Sequence, residues 1–480
     1  MEFDGKRAAL HTLGCKVNEY ETDAMRAALK EAGFSIVDFR EQADVYVINT
    51  CSVTNLADRK SRQMISRARK QNPQAVVVAA GCYVQTALEK TQKAVDADIL
   101  IGSGRKRCLV EELEKFYARS KEASDGGQMP REKNVSDVLR EPEYEELSLP
   151  RIEGHTRAWI KVQDGCNMFC SYCIIPFARG RIRSRRMEDV RGELRRLSAQ
   201  GIREVVLTGI HLSSYGVDLS PDKSGSWQER SSLIDLIEEV SRIEGIDRIR
   251  LGSLEPTIIT EEFVRRLRKI REICPHFHLS LQSGSDSVLE RMNRHYTTGE
   301  YRKSLELLRR AYDRPAITTD VIVGFPGETQ EEFDCTRRFL EEIALYETHL
   351  FRYSRREGTK AARMTDQIPE SIKEERLAVL AAADRKMRER FERSWNESDV
   401  EALMEETAQI DEDGIVCVPN SGRTGRPAED LLSDDREGKT LYTGYTREYI
   451  RVFAWSDQDL RGRIVTGKLD GVQMRDIIVT

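Results

Sequence analysis

From Arg7 to about residue 104, short apolar runs alternate with segments whose apolar residues recur every three or four positions. Arg7–Leu13, Asp44–Thr50 and Ala75–Ala80 have the character of buried strands, and helices are predicted from about Asn18 and about Asn55. This α/β pattern predicts an open sheet domain over residues 5–118. A longer βα repeat follows. Apolar runs at 158–163, 204–208, 248–253, 277–281, 317–323 and 347–352 alternate with charged amphipathic segments such as Met187–Ala199 and Tyr301–Tyr312. These six units predict a partial (βα)6 barrel over residues 151–393. After a helical stretch, Ser371–Arg393, the period shortens. Val400–Met404, Gly414–Val418, Thr440–Tyr445, Glu448–Phe453 and Arg463–Leu469 predict a small five-stranded β-barrel within 396–470, with 421–438 as a long loop. Residues 119–150, rich in Glu, Ser, Gly and Pro, lack apolar periodicity and are expected to be a linker without chemistry.

Length and charge narrow this only a little. A chain of 480 residues has room for two to four domains. Its net charge of −5 means that any nucleic-acid contact must come from a local patch. The first residues hold no apolar signal segment, and no apolar run approaches the ~18 residues of a membrane span. A soluble, cytoplasmic protein is expected. In that compartment ten cysteines suggest metal ligation rather than a disulfide framework.

Three of them, Cys166, Cys170 and Cys173, form a C-x3-C-x2-C loop after an apolar strand. Three thiolates so spaced can hold three irons of a 4Fe–4S cube, and no fourth cysteine lies near to close the last position. The open iron can then bind a ligand. A structural zinc site needs four closed ligands, and the nearest histidine, His155, lies before the strand. Cys15, Cys51 and Cys82 each lie just past the end of a predicted strand, and the carboxyl ends of parallel strands line one crevice. Either they are isolated small apolar residues in matching places, or they hold a second cluster with an open iron. Cys108, Cys274, Cys335 and Cys417 follow no pattern and are taken as packing residues.

The cysteine loop and its flanks resemble the radical S-adenosylmethionine (SAM) superfamily. That resemblance implies a loop after the first barrel strand, SAM chelated at the open iron, and reductive cleavage to a 5′-deoxyadenosyl radical. Leu-Gly-Cys-Lys-Val-Asn-Glu-Tyr-Glu (13–21), Ile-Asn-Thr-Cys-Ser-Val-Thr (48–54) and Ala-Gly-Cys-Tyr-Val-Gln (80–85) resemble the N-terminal domain of the methylthiotransferases. The C-terminal strands resemble the RNA-binding TRAM domain of that family. Two branches of it act on tRNA, on isopentenyladenosine or threonylcarbamoyladenosine, and a third on an aspartate of a ribosomal protein. Lys16-Val17, with Glu19-Tyr20-Glu21, resembles the threonylcarbamoyladenosine branch.

The resemblance implies two 4Fe–4S clusters, SAM, a tRNA partner and an electron-donor protein. One SAM would methylate a sulfur at the N-terminal cluster, and another would yield the radical that takes hydrogen from adenine C-2. Two other readings stay open. From Asp399 to Leu469 there are 9 Lys/Arg against 15 Asp/Glu, a net of −6, which favours the ribosomal-protein branch over an RNA grip. A noncatalytic iron–sulfur RNA-binding protein would not need the polar motifs at successive strand ends.

Those motifs supply the candidate SAM contacts Thr208, Gly209, Ser253, Glu255, Gln282, Ser283, Asp320 and Gly324. Glycines let backbone approach a ligand, while Gln282, Ser253 and Asp320 can bond ribose or methionyl groups. Arg179, Arg181, Arg183, Arg185 and Arg186 follow the cysteine loop, and an extended stretch would align alternate guanidinium groups for phosphate contacts. They are the RNA-binding candidates. Arg59, Lys60, Arg62, Arg67, Arg69 and Lys70 occupy mostly polar positions of a predicted helix, a pattern for which solubility alone is a sufficient reason.

Overall fold

A computed structural model of the chain describes residues 3–86, 96–122, 132–141, 143–147, 149, 156–222, 224–419, 422–427, 431 and 438–479. The N-terminal sheet contains β1 (Arg7–Thr12), β2 (Ser35–Val37), β3 (Val45–Thr50), β4 (Val76–Gly81), β5 (Ile99–Ile101) and β6 (Glu132–Asn134), in the order β2-β1-β3-β4-β5-β6. All neighbours are parallel. Its central strands β3 and β4 are buried at every position because separate apolar clusters cover the two faces. The pairings Thr12 with Asn49 and Thr50 with Gly81 bring three strand ends to one edge. Helices α1 (Lys16–Glu31) and α2 (Asn55–Gln71) start there.

The segment expected to be a linker is part of the fold. Glu132–Asn134 pairs with β5 as an edge strand, and Leu147 and Leu149 pack on Tyr20 and Ala24. Short polar edge strands are set by their neighbours and carry little apolar pattern of their own.

The six expected parallel strands of the central domain are β7 (Arg157–Asp164), β9 (Glu204–Gly209), β10 (Arg248–Leu251), β11 (His276–His278), β12 (Ala316–Val323) and β13 (Glu347–Arg352). Antiparallel β8 (Arg183–Ser184) caps the far end of β7. Sheets β10-β9-β7-β8 and β11-β12-β13 meet through bridges such as Leu254 to Leu279, and β7 and β13 do not pair among the described residues. The barrel is therefore open along one side. One continuous apolar cluster joins its strands to the outer helices.

The last domain is a closed barrel of β14 (Asp399–Thr407), β18 (Thr440–Thr446), β19 (Arg451–Ser456), β21 (Gln473–Val479) and β20 (Ile464–Asp470). Its membership differs from the expected set. Ile415–Val418 instead joins β15 (Gln409–Ile410) and β17 (Gly422–Pro427) in a separate sheet, so part of the expected loop is a strand. The rest of that loop, apart from Leu431 and Gly438, lies outside the described residues. The closing strand runs past residue 470 and is half exposed, which blunts the alternation that would mark it.

The turn between β18 and β19 docks on the central barrel. Arg250 donates to the carbonyls of Arg447 (2.8 Å) and Thr446 (2.6 Å), and Glu204 pairs with both Arg248 and Arg250 at 2.8 Å. Tyr449, held at φ +69°, stacks between His276 (4.9 Å) and Tyr445 (4.6 Å). No helix among the described residues is long and apolar enough to cross a membrane.

Candidate active site between two cysteine triads

Cys15, Cys51 and Cys82 meet at the carboxyl edge of the N-terminal sheet, one at the start of α1, one just after β3 and one just after β4. Gly14 makes the approach possible: at its φ of +110°, an added Cβ would lie 2.8 Å from both Cβ and Sγ of Cys51. Asn18 Nδ2 then ties the first two loops by donating to the Leu13 (2.6 Å) and Thr50 (3.1 Å) carbonyls. Thr50 ties the third, since its hydroxyl donates to Ala80 O at 2.6 Å and accepts from Tyr83 N at 3.2 Å. Burial with the nearby Cys82 pushes the Cys51 thiol up to about 12.

The second triad lies on the loop after β7. Cys166 N donates to Gly180 O at 3.0 Å, Cys173 N to Cys170 O at 3.0 Å, and Ser171 Oγ to Arg291 O at 2.8 Å, which fixes the loop on the barrel. Arg294 Nη1 approaches Cys170 Sγ at 3.3 Å while its Nη2 donates to Glu255 Oε2 at 2.7 Å. Burial lifts Cys166 to about 12, and burial with the two neighbouring thiols raises Cys173 further.

Each donor set consists of three thiols, the ligands of three irons of a 4Fe–4S cube whose fourth iron is left open. Each triad also has a guanidinium beside it, Arg294 at Cys170 and Arg179 in the surroundings of Cys15, Cys51 and Cys82. A positive charge there offsets the thiolates that metal binding demands.

A cavity of about 290 Å³ lies between the two domains. Val53 and Thr54, just past Cys51, form one wall, and Tyr172, Cys173, Gln282 and Asp320 form others. Gln282 adopts φ +68°, its N–H bonded to Asp320 O at 2.8 Å, so two of the candidate SAM contacts are locked together. Asp320 carboxylate meets His278 Nε2 at 3.2 Å. Glu255 is buried near the cysteine loop with Oε1 lacking a hydrogen-bond partner, an open acceptor for a cationic ligand group. Ser253 is exposed at the rim, Thr208 is buried in β9, and Gly209 packs on Gln163.

Ser283 and Gly324 lie outside the cavity lining. The Ser283 hydroxyl is 3.2 Å from Thr336 Oγ1, and a Cβ on Gly324 would be 2.3 Å from the Lys373 stem. Arg294 was not legible in the sequence because it reaches the cysteine loop from 124 residues away. Cys335, expected to pack, is exposed, while Cys274 is buried.

The arginine strip is corrected most. Residues 183–184 are extended, as the alternation required, yet Arg179, Arg183 and Arg185 are buried and cannot reach a phosphate. Arg185 pairs with Glu146 and Glu193, and Arg179 bonds Glu21 (2.8 Å) and Asp164 (3.2 Å). Their partners come from four segments: Glu21 of the N-terminal domain, Glu146 before β7, Asp164 in β7 and Glu193 in the helix Met187–Ser198. Arg181 and Arg186 are exposed.

Comparison with known proteins agrees with this geometry. Residues 7–102 match uncharacterized protein family UPF0004, and residues 160–340 match the radical SAM superfamily. Threonylcarbamoyladenosine tRNA methylthiotransferase MtaB of Bacillus subtilis is 39% identical over 461 residues, 96% of this chain and 93% of its own. This chain belongs to the radical SAM methylthiotransferase family. The family's 4Fe–4S clusters and SAM are accordingly its cofactors. The Aquifex aeolicus protein of the same name is 37% identical, over 87% of this chain and 97% of its own. A tRNA-2-methylthio-N(6)-dimethylallyladenosine synthase of Acetivibrio thermocellus is 34% identical, over 83% and 81%. The radical SAM methyltransferase TsrM of Kitasatospora setae superposes with a TM-score of 0.52 at 18% identity, over 72% of this chain and 75% of that one, a likeness of fold alone.

Proposed function

We propose that this methylthiotransferase modifies threonylcarbamoyladenosine 3′ of the anticodon in tRNA, converting adenine C2–H to C2–SCH3. The observation that carries the reading is a pair of cysteine triads on separate domains, with one interdomain cavity lined by Cys173 of the second triad and by Val53 and Thr54, just past Cys51 of the first. Cys166, Cys170 and Cys173 would hold the SAM-cleaving cluster, and Cys15, Cys51 and Cys82 the sulfur-handling one. When bound, these groups supply the electron, the hydrogen-abstracting radical and the methylthio unit. The chain's own residues position them: Gln282 and Asp320 offer polar contacts in the cavity, Glu255 Oε1 an open acceptor, and Arg294 a charge beside Cys170.

Lys16 supports the choice of branch. It follows Cys15 directly, is open to solvent, and makes no ion pair among the described residues. Charged groups of the central domain, Arg157, Arg250 and Asp320, and Tyr449 of the terminal barrel act on it electrostatically. A threonylcarbamoyl group carries a carboxylate that a cation can bind, whereas a dimethylallyl group offers only apolar surface. Mass spectrometry of tRNA nucleosides from cells with and without the protein tests the reading: the methylthio form of threonylcarbamoyladenosine should vanish with the gene. Its persistence, with loss of a methylthio group from a ribosomal protein, would favour the reading suggested by the acidic terminal barrel.

A further inference from the structure

Helix α2 runs from the mouth of the interdomain cavity outward across the N-terminal domain. Its N-cap Thr54 and the preceding Val53 line that cavity, and Asn55 is bonded to the central domain through Ser354 Oγ (3.0 Å) and Arg356 Nη1 (2.6 Å). Four and fifteen residues beyond Asn55, on the same helical face, stand Arg59 and Lys70, with Arg62, Gln63, Ser66 and Arg67 between them. These six side chains line an open groove of about 420 Å³.

The charges along it are unbalanced. Among the described residues Arg59, Arg67 and Lys70 make no hydrogen bond or ion pair, and Arg62 is engaged only with Tyr83, its Nη1 3.2 Å from the hydroxyl. The helix has one acidic residue, Asp58, and Arg356 of the central domain occupies it at 2.7 Å. Arginines on other surface helices are commonly paired, as Arg265 is with Glu262, Arg302 with Glu342 and Arg337 with Glu341. In a chain with 81 acidic and 76 basic residues, an unpaired cationic stripe therefore stands out.

At the cavity end of the stripe the surface turns apolar. Val53 (50% exposed), Leu56 (58%) and Phe351 (46%) stand open there, and Val53 and Phe351 also line the cavity. Such groups suit an unstacked base, as cations suit the phosphates on either side of it.

We propose that α2 is the RNA track of this enzyme: the tRNA backbone lies along Arg59, Arg62, Arg67 and Lys70, and the target base enters between Val53 and Phe351. The stripe is about 16 Å long at 1.5 Å rise per residue, enough for two or three successive phosphates. The inference rests on tRNA as substrate and replaces the buried arginines after the cysteine loop as the phosphate contact.

The test is binding of an anticodon stem-loop RNA to the full-length, cluster-loaded protein across a range of salt concentrations. Arg59→Glu, Arg67→Glu and Lys70→Glu combined should weaken binding on the order of tenfold or more and flatten the log–log salt slope by about two units. Formation of 5′-deoxyadenosine without RNA should be unchanged, which separates lost contacts from lost folding. Arg195→Glu with Arg196→Glu, exposed on the helix Met187–Ser198 of the barrel exterior, should bind RNA as the unaltered protein does. An unchanged affinity and slope in the α2 variant would overturn the track while leaving the function intact. Failure of the unaltered protein to bind the stem-loop at all would overturn both.

Discussion

Arg179 Nη2 donates a 2.6 Å hydrogen bond to Asn18 Oδ1, joining the helix that follows the loop of Cys166, Cys170 and Cys173 to the first turn of α1, just after Cys15. Asn18 in turn holds the Leu13 and Thr50 carbonyls, so one guanidinium braces the N-terminal triad from the other domain. The short helix at Cys82 packs on the helix Ile175–Arg179, which brings the third cysteine into the same contact. Burial opposes the charge of Arg179, and Cys82, Glu21 and Asp164 outweigh it.

This placement makes Arg179 a positioning residue with an electrical effect. Arg179→Gln should lower the reduction potential of the N-terminal cluster, because removing a nearby positive charge favours its oxidised form. Arg179→Lys should retain most of the potential. Redox titration followed by electron paramagnetic resonance reads this directly, and equal potentials in the Gln variant and the unaltered protein would show that the charge does not reach the cluster.

The two triads should be separable. Replacing Cys166, Cys170 and Cys173 with Ala should abolish 5′-deoxyadenosine formation and leave one cluster by iron and sulfide analysis. Replacing Cys15, Cys51 and Cys82 should leave 5′-deoxyadenosine formation and abolish the methylthio product. An unchanged iron content in the second variant would make those three cysteines packing residues.

Burial divides the arginines after the cysteine loop into two classes of behaviour. Arg185→Gln leaves the fully buried Glu193 without its charged partner and should destabilise the protein by about 3–5 kcal/mol. Arg181→Gln, exposed and lying over the Phe169 ring at 4.7 Å, should cost less than about 1 kcal/mol. Denaturant unfolding distinguishes them; similar midpoints would contradict the buried network.

Acid should loosen the seat of the C-terminal barrel. Burial opposes the charge of Glu204, but Arg250, Arg248 and Arg157 together outweigh it and hold its carboxyl at about 2, below the ordinary 4.5. A depressed carboxylate stabilises fully above the ordinary value and loses that contribution as pH falls toward the folded one. Thermal stability should therefore fall between about pH 4.5 and 2, and Glu204→Gln should flatten that part of the profile. An identical pH profile in the variant would remove Glu204 as the cause.

The sequence by itself determined the elements whose signal is local. Buried strands such as Val45–Thr50 and Val76–Gly81 are continuous apolar runs, and the repeat of six barrel strands follows from regular alternation with amphipathic helices. The grouping of the six cysteines into one loop and one sheet edge was legible because spacing and strand-end position confine them before any contact is known. What only the tertiary structure decided is where charged and weakly patterned segments go. Glu132–Asn134 and Gln473–Val479 become strands because a sheet edge and an open barrel needed partners. Arg179, Arg183 and Arg185 read as a wet cationic strip, and became an interior lattice because Glu21, Asp164 and Glu193 converge on them from distant segments. A charge pattern does not show whether its counter-charges are water and phosphate or carboxylates folded against it, since that depends on long-range contacts the linear chain does not display.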